Sequence, residues 1–464
     1  MLPRITLLLS LGLVLVSGYQ DDYSSNYNRP TTNESHTAVF CYVNGTRLVS
    51  QSRRNTYQTG HFGVESIKVE LCTHIVYGAA VLEPNSWDIR AIDPDLEHRQ
   101  SSGNKISFDD ITELKNRKRD LKVLISVSGT PTAFSQMAKS HREVFVQHAK
   151  TFLNKYKFDG LNIDWQYPTR RGGTTEDKQN FGLLIKELKI MFRNEAKLLT
   201  ASISPMRQTV INGYEYMDGV VMESVDYWFI LATEYYGHWS NRIGPNAPLR
   251  GRENLGVEKT IDDLKYLFQK HAYKLVLVVP FYGKKFQLRG PLQNNYESPI
   301  GKDFVNMHAP AENVILSYRE ICQKMSNEQW RRGWDSDSET PYIVKDAGAI
   351  VFDDAQSVQA KTSMALRRGL GGVMAFSIDM DDFDGDCSDG SAHGRRGGSS
   401  STNTGSNSDS YNYNWRDRSA RKYPLLQIMY DTVERGPNSA GLGSASLLLV
   451  TMSAAIATML NKPQ

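Results

Sequence analysis

Short apolar runs rich in β-branched residues recur along the chain, and stretches with helical periodicity separate them. Several runs are almost continuously apolar, as expected of strands that are buried on both faces. The pattern predicts strands at Ala38–Asn44, Leu71–Leu82, Leu121–Gly129, Phe158–Trp165, Leu198–Pro205, Val225–Tyr236, Lys274–Gly283 and Gly371–Asp382. It predicts helices at Phe134–Lys157, Asp177–Lys197, Val257–His271 and Ala355–Arg368. Eight strands that alternate with helices within about 400 residues indicate an α/β fold, the (β/α)8 TIM barrel.

Two stretches interrupt this alternation. After the seventh strand the spacing widens, and we expect a small subdomain of about residues 284–345 to be inserted there. Residues Ser388–Ser419 are mostly Ser, Gly, Asn, Asp and Arg, with few apolar side chains. Such a segment buries too little surface to offset its ordering entropy, so a disordered loop is predicted at about 388–419. The barrel domain as a whole is expected to span residues 38–435.

The N-terminus has the composition of a secretory signal peptide. Met1–Arg4 is a short basic region, Ile5–Val16 is apolar, and small residues follow at Val16–Gly18. The apolar run is well short of the roughly 20 residues that a transmembrane helix needs. We therefore expect residues 1–18 to be removed and the protein to be secreted.

The C-terminus resembles the signal for a glycolipid (GPI) anchor. The apolar run Ser446–Leu460 follows small residues at Asn438–Gly441 and a brief spacer. A C-terminal apolar helix or a tail anchor is the alternative, but this run is short for a membrane span. We expect residues 439–464 to be replaced by a lipid on Asn438, which would hold the protein at the cell surface.

Charge and cysteine content limit the classes of partner. The 54 basic and 51 acidic residues give a net charge of +3, which is too balanced to indicate a nucleic-acid partner. In a secreted chain, an even number of cysteines indicates disulfides. The four cysteines can pair in three ways, and the order along the chain favours the one with Cys41–Cys72 and Cys322–Cys387. No metal-site spacing and no cofactor motif is visible in the sequence, and His74 is interpreted as a core residue of an apolar strand.

Two sequons for N-glycosylation lie near the start of the mature chain, at Asn33-Glu34-Ser35 and Asn44-Gly45-Thr46. Asn44 ends the first predicted strand. A glycan on Asn44 would therefore lie at the C-terminal end of that strand and shield part of any groove there. This hypothesis requires Asn44 to be modified in the mature protein.

The segment Phe158–Pro168 carries the most specific chemistry in the sequence. Because side chains alternate along a strand, Asn162, Asp164 and Gln166 are expected to point into the barrel. Leu161, Ile163 and Trp165 would then face the surrounding helices. Active sites of such barrels lie at the C-terminal ends of the strands, and Gln166 lies at that end.

This segment closely resembles the Asp-Gly-x-x-x-Asp-x-Glu signature of the family 18 glycoside hydrolases, the chitinases and chitinase-like lectins. The resemblance extends from about Ala38 to Glu434. It is supported at four other strands, by Cys72–Tyr77, Ser126–Gly129, Pro280–Gly283 and Gly371–Val373. It implies that the inserted subdomain is of the α+β type, and the cysteine pairing of the family agrees with the one favoured above.

The resemblance also implies a mechanism that this sequence lacks the residues to perform. In the family, a terminal glutamic acid protonates the glycosidic oxygen, and the acetamide of the sugar attacks, oriented by the middle aspartate. Here the acid position holds Gln166, whose amide cannot deliver a proton. General acid catalysis is worth roughly 10²–10⁴-fold in rate. Asn162 is a further amide, so Asp159 and Asp164 alone remain, and we interpret both as buried acids that stabilise the barrel.

The sugar cleft of the family is altered as well. The third strand ends in Ser128-Gly129-Thr130 instead of Gly-Gly-Trp, the sixth holds Leu231–Glu234 instead of Met-x-Tyr-Asp, and Phe376 and Thr46 replace two tryptophans. Sugars bind by stacking on aromatic rings while polar groups orient them. The aromatic candidates that remain are Tyr42, Trp165, Tyr167, Trp239, Tyr282 and Phe376, of which Trp165 is expected to face outward. Ligand binding is assigned to Asp164, Gln166, Tyr167, Glu234, Tyr282 and Phe376.

Three functions remain open. The first is an inactive lectin at the cell surface that binds chitin-type N-acetylglucosamine polymers or related glycans. The second is a growth-factor-like or adhesion protein in which the barrel is a scaffold for a protein receptor. The third is a weak chitinase that uses another acid, such as Glu234. The sequence favours the first slightly over the second and places the third well behind.

Overall fold

The computed structural model describes residues 37–48, 62–97, 106–251, 254–294, 297–305, 314–327, 329–387 and 422–436. The predictions for the signal peptide at 1–18, the sequon at Asn33, the loop at 388–419 and the lipid-anchor signal at Asn438 and 439–464 lie outside these residues. No helix in the described ranges combines the length and the apolar character that crossing a membrane requires.

The described residues form fifteen strands in two sheets. They are β1 (Ala38–Val43), β2 (His74–Leu82), β3 (Ile89–Ala91), β4 (Lys122–Ser128), β5 (Gly160–Asp164), β6 (Leu198–Ile203), β7 (Tyr227–Ile230), β8 (Leu275–Pro280), β9 (Tyr282–Leu288), β10 (Phe304–Val305), β11 (Ile315–Ser317), β12 (Arg331–Asp335), β13 (Thr340–Lys345), β14 (Gly348–Val351) and β15 (Gly372–Phe376).

The α-helices are α1 (Phe108–Glu113), α2 (Pro131–Ser140), α3 (Arg142–Lys155), α4 (Asp177–Phe192), α5 (Arg207–Gly213), α6 (Gly219–Ser224), α7 (Val257–Phe268), α8 (Tyr318–Asn327), α9 (Ala355–Arg367) and α10 (Pro424–Arg435). Short 3₁₀ turns connect several of them, among them Val69–Leu71 and Ile378–Met380.

Eight parallel strands close into the predicted barrel. Their order is β1-β2-β4-β5-β6-β7-β8-β15, and β15 pairs with β1 to complete the ring. The short β3 pairs antiparallel to the end of β2. The prediction of a (β/α)8 TIM barrel is confirmed.

The alternation of side chains along the strands produces two apolar layers. Inside the barrel, a small cluster includes Phe40, Val76, Phe229 and Met374. Outside it, a larger layer between the strands and the helices includes Leu161 and Ile163 of β5. The near-continuous apolar runs of the sequence therefore reflect burial on both faces.

The second sheet is the insertion expected after the seventh barrel strand. It has the order β10-β9-β14-β13-β12, and β11 also pairs with β9. The chain passes from β8 to β9 across the single residue Phe281, so this sheet begins at Tyr282 and continues to Val351. Helix α8 packs on the sheet, where Ile321 contacts a cluster with Ile343, Ile350 and Phe352.

Several predicted element boundaries were wrong. The strand expected at Val225–Tyr236 ends at Ile230, and the strand expected at Gly371–Asp382 ends at Phe376. In both places the apolar pattern continues into buried loop residues, which periodicity does not distinguish from strand. The helix expected at Phe134–Lys157 is two helices that meet at His141, whose φ of −135° and ψ of 20° interrupt the helical hydrogen bonding.

Two disulfides link distant parts of the chain. Cys41 of β1 is joined to Cys72 just before β2, and Cys322 of α8 is joined to Cys387 after β15. This is the pairing that the order of the cysteines favoured. The last helix is held nearby, because the Asp381 carboxylate accepts hydrogen bonds from the backbone N–H groups at the start of α10.

Polar side chains close the base of the barrel, where the strands begin. Asp226, just before β7, accepts from the Leu199 backbone N–H at 2.7 Å and from Lys189 Nζ at 2.8 Å. Lys274, just before β8, is buried and donates to the carbonyls of Met222, Glu223 and Val225 at 2.8–3.0 Å. Such contacts satisfy backbone groups that helix and strand ends leave unpaired.

Candidate functional site

Strand β5 directs alternate side chains into the barrel, as predicted. Asn162 is 2% exposed, and its Nδ2 donates to Ser126 Oγ at 2.8 Å while its Oδ1 accepts from Thr200 Oγ1 at 3.0 Å. These contacts join β5 to the strands on either side. Asn162 therefore lies in the polar centre of the barrel, below the mouth, where its hydrogen bonds are satisfied by the protein itself.

Asp164 and Gln166 lie together at the mouth, the C-terminal end of the barrel strands. The Gln166 Nε2 donates to both carboxylate oxygens of Asp164, at 3.0 and 3.2 Å. Burial raises the pKa of Asp164, and hydrogen bonds from Gln166 and Ser202 oppose that shift only in part. The peptide bond between Gln166 and Tyr167 is cis. Asp164 and Gln166 are therefore joined by hydrogen bonds at the end of β5.

Asp159 does not belong to this site. It precedes β5 at the base of the barrel, where its carboxylate accepts from the Val123 backbone N–H at 2.8 Å and lies 3.2 Å from Lys115 Nζ. Its contacts are those of an acid that stabilises the barrel, but its side chain is 23% exposed, so it is not the buried acid that the sequence predicted. Asp164 differs from it, because its hydrogen-bond donors are the neutral groups of Gln166 and Ser202.

Three aromatic rings from different strands lie at the mouth, with the Phe376 ring next to both Tyr42 and Tyr282. The ring centroids of Tyr42 and Phe376 are 4.6 Å apart, and those of Phe376 and Tyr282 are 6.5 Å apart. Tyr42 packs against Gly78, where a Cβ atom would lie only 1.8 Å from the tyrosine oxygen. Gly78 lies at the irregularity in the pairing of β2 with β4. A glycine is therefore required for this ring to enter the barrel.

Burial also changes the pKa of the tyrosines around Asp164. It raises the pKa of Tyr42 and of Tyr167, and in each case the nearby charge of Asp164 adds to the shift. Both phenols are neutral at physiological pH, as an ordinary tyrosine is, and Tyr42 is already hydrogen-bonded to Ser126.

Glu234 lies at the edge of the mouth, in the loop after β7. Its Oε1 is 3.3 Å from the Tyr282 hydroxyl and 3.6 Å from Lys284 Nζ, and half of its side chain is exposed. The Lys284 side chain is buried, and its Nζ also lies 4.6 Å from the centroid of the Trp239 ring. Trp239 is 65% exposed. These residues extend the site from Tyr282 toward an exposed aromatic face.

The sequence reasoning missed Lys284. It lies two residues after Tyr282 on β9 and so shares a face of the strand with it. That spacing could have indicated Lys284 as a neighbour of Tyr282. Its pairing with Glu234 depends on the fold, since 50 positions separate the two residues in the chain.

Two further residues that the sequence assigned to the core, Trp165 and His74, lie outside the mouth. Trp165 faces outward as expected, with its ring stacked on Phe134 at 5.4 Å and buried beneath the helices. His74 stacks on Phe40 at 4.4 Å, and burial lowers its pKa to about 4. Both residues are part of the core.

Asn44 lies directly after β1 at the same end of the barrel. Its backbone N–H donates to Asp379 Oδ1 at 3.0 Å, and its side-chain Oδ1 accepts from the Arg47 backbone N–H at 3.1 Å. Asp379 is buried, and Arg47 Nε lies 3.7 Å from its carboxylate. Asn44 therefore starts the helical turn that follows β1.

In the described part of the chain, one group of side chains has the proximity needed to hold a metal ion, namely Cys322, Asp382 and Cys387. Its two sulfur atoms form a disulfide, so they are not thiolate ligands.

The closed barrel, the α+β insertion after its seventh strand and the polar-aromatic mouth together define a sugar-hydrolase type of (β/α)8 protein. The model of the Glycosyl hydrolases family 18 matches residues 38–381, and this chain belongs to that family. The match includes β5 and all the mouth residues described above.

Known relatives agree with this placement. The chain is 32% identical over 368 residues to "Probable chitinase 2" of Drosophila melanogaster, which covers 75% of this chain and 73% of that protein. The crystal structure of the Ostrinia furnacalis Group IV chitinase in complex with allosamidin superimposes with a TM-score of 0.69 at 28% identity, covering 86% of this chain and 99% of the other. Human YKL-39, described as a pseudo-chitinase with retained chitooligosaccharide binding, superimposes with a TM-score of 0.66 at 25% identity, covering 86% and 100%.

Proposed function

We propose that this protein is a catalytically inactive, extracellular member of its family that binds chitin-type N-acetylglucosamine oligomers in the mouth of the barrel. The observation that carries the proposal is the hydrogen-bonded pair of Gln166 and Asp164. An acid is needed at the end of β5 to protonate a leaving oxygen, and Gln166 supplies an amide there. An amide donates and accepts hydrogen bonds but does not transfer a proton at accessible pH.

The same pair retains what binding requires. Asp164 is a partly buried acceptor that can bind the N–H of an acetamide group, with Tyr167 and Tyr42 as neighbouring phenols. In catalysis Asp164 would orient the acetamide for attack. Without a proton donor it holds the acetamide in place with no bond being broken. YKL-39, which keeps chitooligosaccharide binding as a pseudo-chitinase, supports this separation of binding from hydrolysis.

Calorimetric titration of N-acetylglucosamine oligomers into the mature secreted protein tests the proposal, together with a hydrolysis assay on the same oligomers. We expect saturable binding and no turnover. We expect Gln166→Glu to raise hydrolysis by roughly 10²–10⁴-fold over the background of the parent, the usual contribution of a general acid. The exposed Gln147 in the outer helix α3 supplies the matched control, because Gln147→Glu makes the same chemical change outside the barrel. Chitinase-level turnover by the unchanged protein would overturn the proposal.

A second function is favoured by one observation. Tyr42 and Phe376 contact each other at 4.6 Å, so each ring covers part of the face that would stack on a sugar. If the cleft is vestigial, the barrel acts as a growth-factor-like or adhesion scaffold with a protein receptor. Absence of binding at millimolar oligomer, in a protein that unfolds cooperatively, would select this function.

Glu234 is the residue on which a weak chitinase activity would depend. Its carboxylate lies between the Tyr282 hydroxyl and Lys284 Nζ, a position that suits ion pairing better than proton delivery. Any hydrolysis that remains in the parent protein and disappears in Glu234→Gln would establish this third function.

The cell-surface location is part of the proposal and rests on the two chain ends. Expression of the full chain in animal cells, followed by treatment with a phospholipase specific for glycolipid anchors, checks it. Release of the protein into the medium is the expected result. Retention on the cells after treatment, or secretion without treatment, would contradict the lipid anchor on Asn438.

A further inference from the structure

The sequon at Asn44 lies beside the aromatic mouth. Asn44 follows Tyr42 by two residues at the C-terminal end of β1, and the Tyr42 ring contacts Phe376 of the mouth at 4.6 Å. The Asn44 backbone N–H donates a hydrogen bond to Asp379 Oδ1 at 3.0 Å. The negative charge of Asp379 contributes to the raised pKa of Tyr42. The position of Asn44 is therefore fixed at the rim of the candidate sugar site.

The side chain of Asn44 is arranged for modification. Its Oδ1 is engaged by the Arg47 backbone N–H at 3.1 Å, and no described residue accepts a hydrogen bond from its Nδ2. The residue is partly exposed, and Thr46, the third residue of the sequon, is exposed. The Nδ2 atom is the one that N-glycosylation uses, and the Thr hydroxyl is what completes the acceptor sequence.

We infer that Asn44 carries an N-linked glycan that occupies the mouth of its own barrel and competes with free N-acetylglucosamine oligomers. In its attachment, a bond forms between Nδ2 and the anomeric carbon of the first sugar. The bond from that carbon to the diphosphate of the lipid-linked donor breaks, and Nδ2 loses one proton. The inference rests on the proposed function, since it requires passage through the secretory pathway and a mouth that binds sugar.

The chemistry of the glycan matches the chemistry of the site. The first two sugars of an N-linked chain are β-1,4-linked N-acetylglucosamine, which is the repeating unit of chitin. A site that accepts chitin oligomers through Asp164 and an aromatic face would accept this pair of sugars by the same contacts. Thr46 stands at the position where the resembled family has an aromatic residue. Its hydroxyl completes the sequon that makes Asn44 an acceptor for a glycan.

The tether makes such competition effective. A ligand on a short flexible linker has an effective concentration of about 1 mM at its site. If the attached sugars bind with a dissociation constant of about 0.1 mM, a free oligomer binds about tenfold more weakly than it would to the unmodified protein. The glycan would act as an internal inhibitor that glycan trimming or loss of the sequon removes.

The experiment compares three variants of the full chain expressed in animal cells. Thr46→Ala removes the sequon and leaves the Asn44 side chain, with its hydrogen bond to Arg47, in place. Thr46→Ser keeps the sequon. Asn33→Gln removes the other sequon and controls for a general effect of losing a glycan. Peptide mass spectrometry measures occupancy of Asn44, and calorimetric titration with a chitin pentamer measures affinity.

We expect Asn44 to be occupied in the parent and in Thr46→Ser. We expect the pentamer to bind Thr46→Ala about tenfold more tightly than the parent, and Asn33→Gln to bind like the parent. An unmodified Asn44, or equal affinities of the parent and Thr46→Ala, would overturn the inference while leaving the lectin proposal intact. If Thr46→Ala is unoccupied and folded but does not bind the pentamer at millimolar concentration, the proposed function itself fails.

Discussion

Strand β5 has an acid at each end, and the two acids have opposite surroundings. Asp159 at the base of the barrel lies 3.2 Å from Lys115 Nζ and accepts a backbone hydrogen bond from Val123. Asp164 at the mouth is partly buried, and its hydrogen-bond donors are the neutral side chains of Gln166 and Ser202. Its pKa is raised because burial disfavours the ionised form more than these donors favour it.

The difference extends to the whole of each end. At the base, charged groups such as Asp226 and Lys274 have partners of their own and stabilise the junctions of strands and helices. At the mouth, partly buried polar groups and aromatic rings remain available to a ligand. Residues placed to bind a ligand commonly contribute less to the stability of the unliganded protein than residues placed only for folding. The base should therefore control stability, and the mouth should control binding.

The largest expected effect is at the base. Lys274→Met removes the donor to three buried carbonyls, those of Met222, Glu223 and Val225. Leaving buried acceptors unpaired costs about 1–3 kcal/mol each in the free energy of unfolding, and partial relaxation brings the expected total to about 3 kcal/mol. Urea denaturation measures it. The exposed Lys270 supplies the control, since Lys270→Met should change stability by less than about 0.5 kcal/mol.

The next effect is at the mouth and concerns binding. Asp164→Ala removes the partly buried acceptor, and hydrogen bonds to charged groups contribute about 1.5–3 kcal/mol. We expect chitin oligomers to bind at least about tenfold more weakly, as measured by titration calorimetry. Asp159→Ala is the matched variant at the other end of the same strand, and it should leave the affinity unchanged. Equal losses of affinity in both variants would contradict the division between base and mouth.

The two acids should also differ in the sign of their effect on stability. A carboxyl whose folded pKa lies above its unfolded value stabilises the protein at low pH, and this contribution is lost as the pH rises through the folded pKa. For Asp164 the loss begins above its ordinary value of 3.8. Asp164→Asn should therefore raise stability at pH 7 by about 0.5–2 kcal/mol, and the gain should shrink as the pH falls toward that value.

Asp159→Asn is the comparison for that measurement. It weakens the contacts with Lys115 and Val123, so it should lower stability at pH 7 by about 1–2 kcal/mol. Thermal unfolding of both variants from pH 4 to pH 8 gives the two curves. A stabilising Asp159→Asn, or an Asp164→Asn whose effect does not change with pH, would break the comparison.

The smallest expected effect tests the aromatic face. Trp239 is 65% exposed and lies 4.6 Å from Lys284 Nζ, while Tyr266 on the outer helix α7 is 69% exposed and lies 5.3 Å from the Arg207 guanidinium. Both rings are exposed and have a cation over them, but only Trp239 adjoins the mouth. Trp239→Ala should weaken oligomer binding by about 0.5–1.5 kcal/mol, measured by titration. Tyr266→Ala should leave binding unchanged.

Much of the fold could be predicted because its signals are local and periodic. The apolar runs identified the eight barrel strands, and the two-residue period of β5 correctly separated Asn162 from Trp165. Boundaries were less predictable. The strand expected to reach Tyr236 ends at Ile230, because the following residues are buried by tertiary contacts and not by strand pairing.

The candidate site was predictable in part. The spacing along β5 indicated Asp164 and Gln166 as neighbours, since residues two apart share a face of a strand. Nothing in the sequence indicated that Lys284 would pair with Glu234, or that the Phe376 ring would lie against Tyr42. These partners come from separate strand–helix units, and their distances depend on how the barrel closes.

The sequence by itself determined the barrel, the identity of the amide at Gln166 and the sequon at Asn44, because each is a property of local pattern or of a single residue. Only the tertiary structure decided what surrounds them. Asp159 and Asp164 are five residues apart and chemically identical, yet one has a lysine partner and the other does not. Asn44 meets Asp379 across 335 positions of the chain. The pKa, the burial and the accessibility of a side chain depend on neighbours that are distant in sequence, and those neighbours exist only once the barrel has closed.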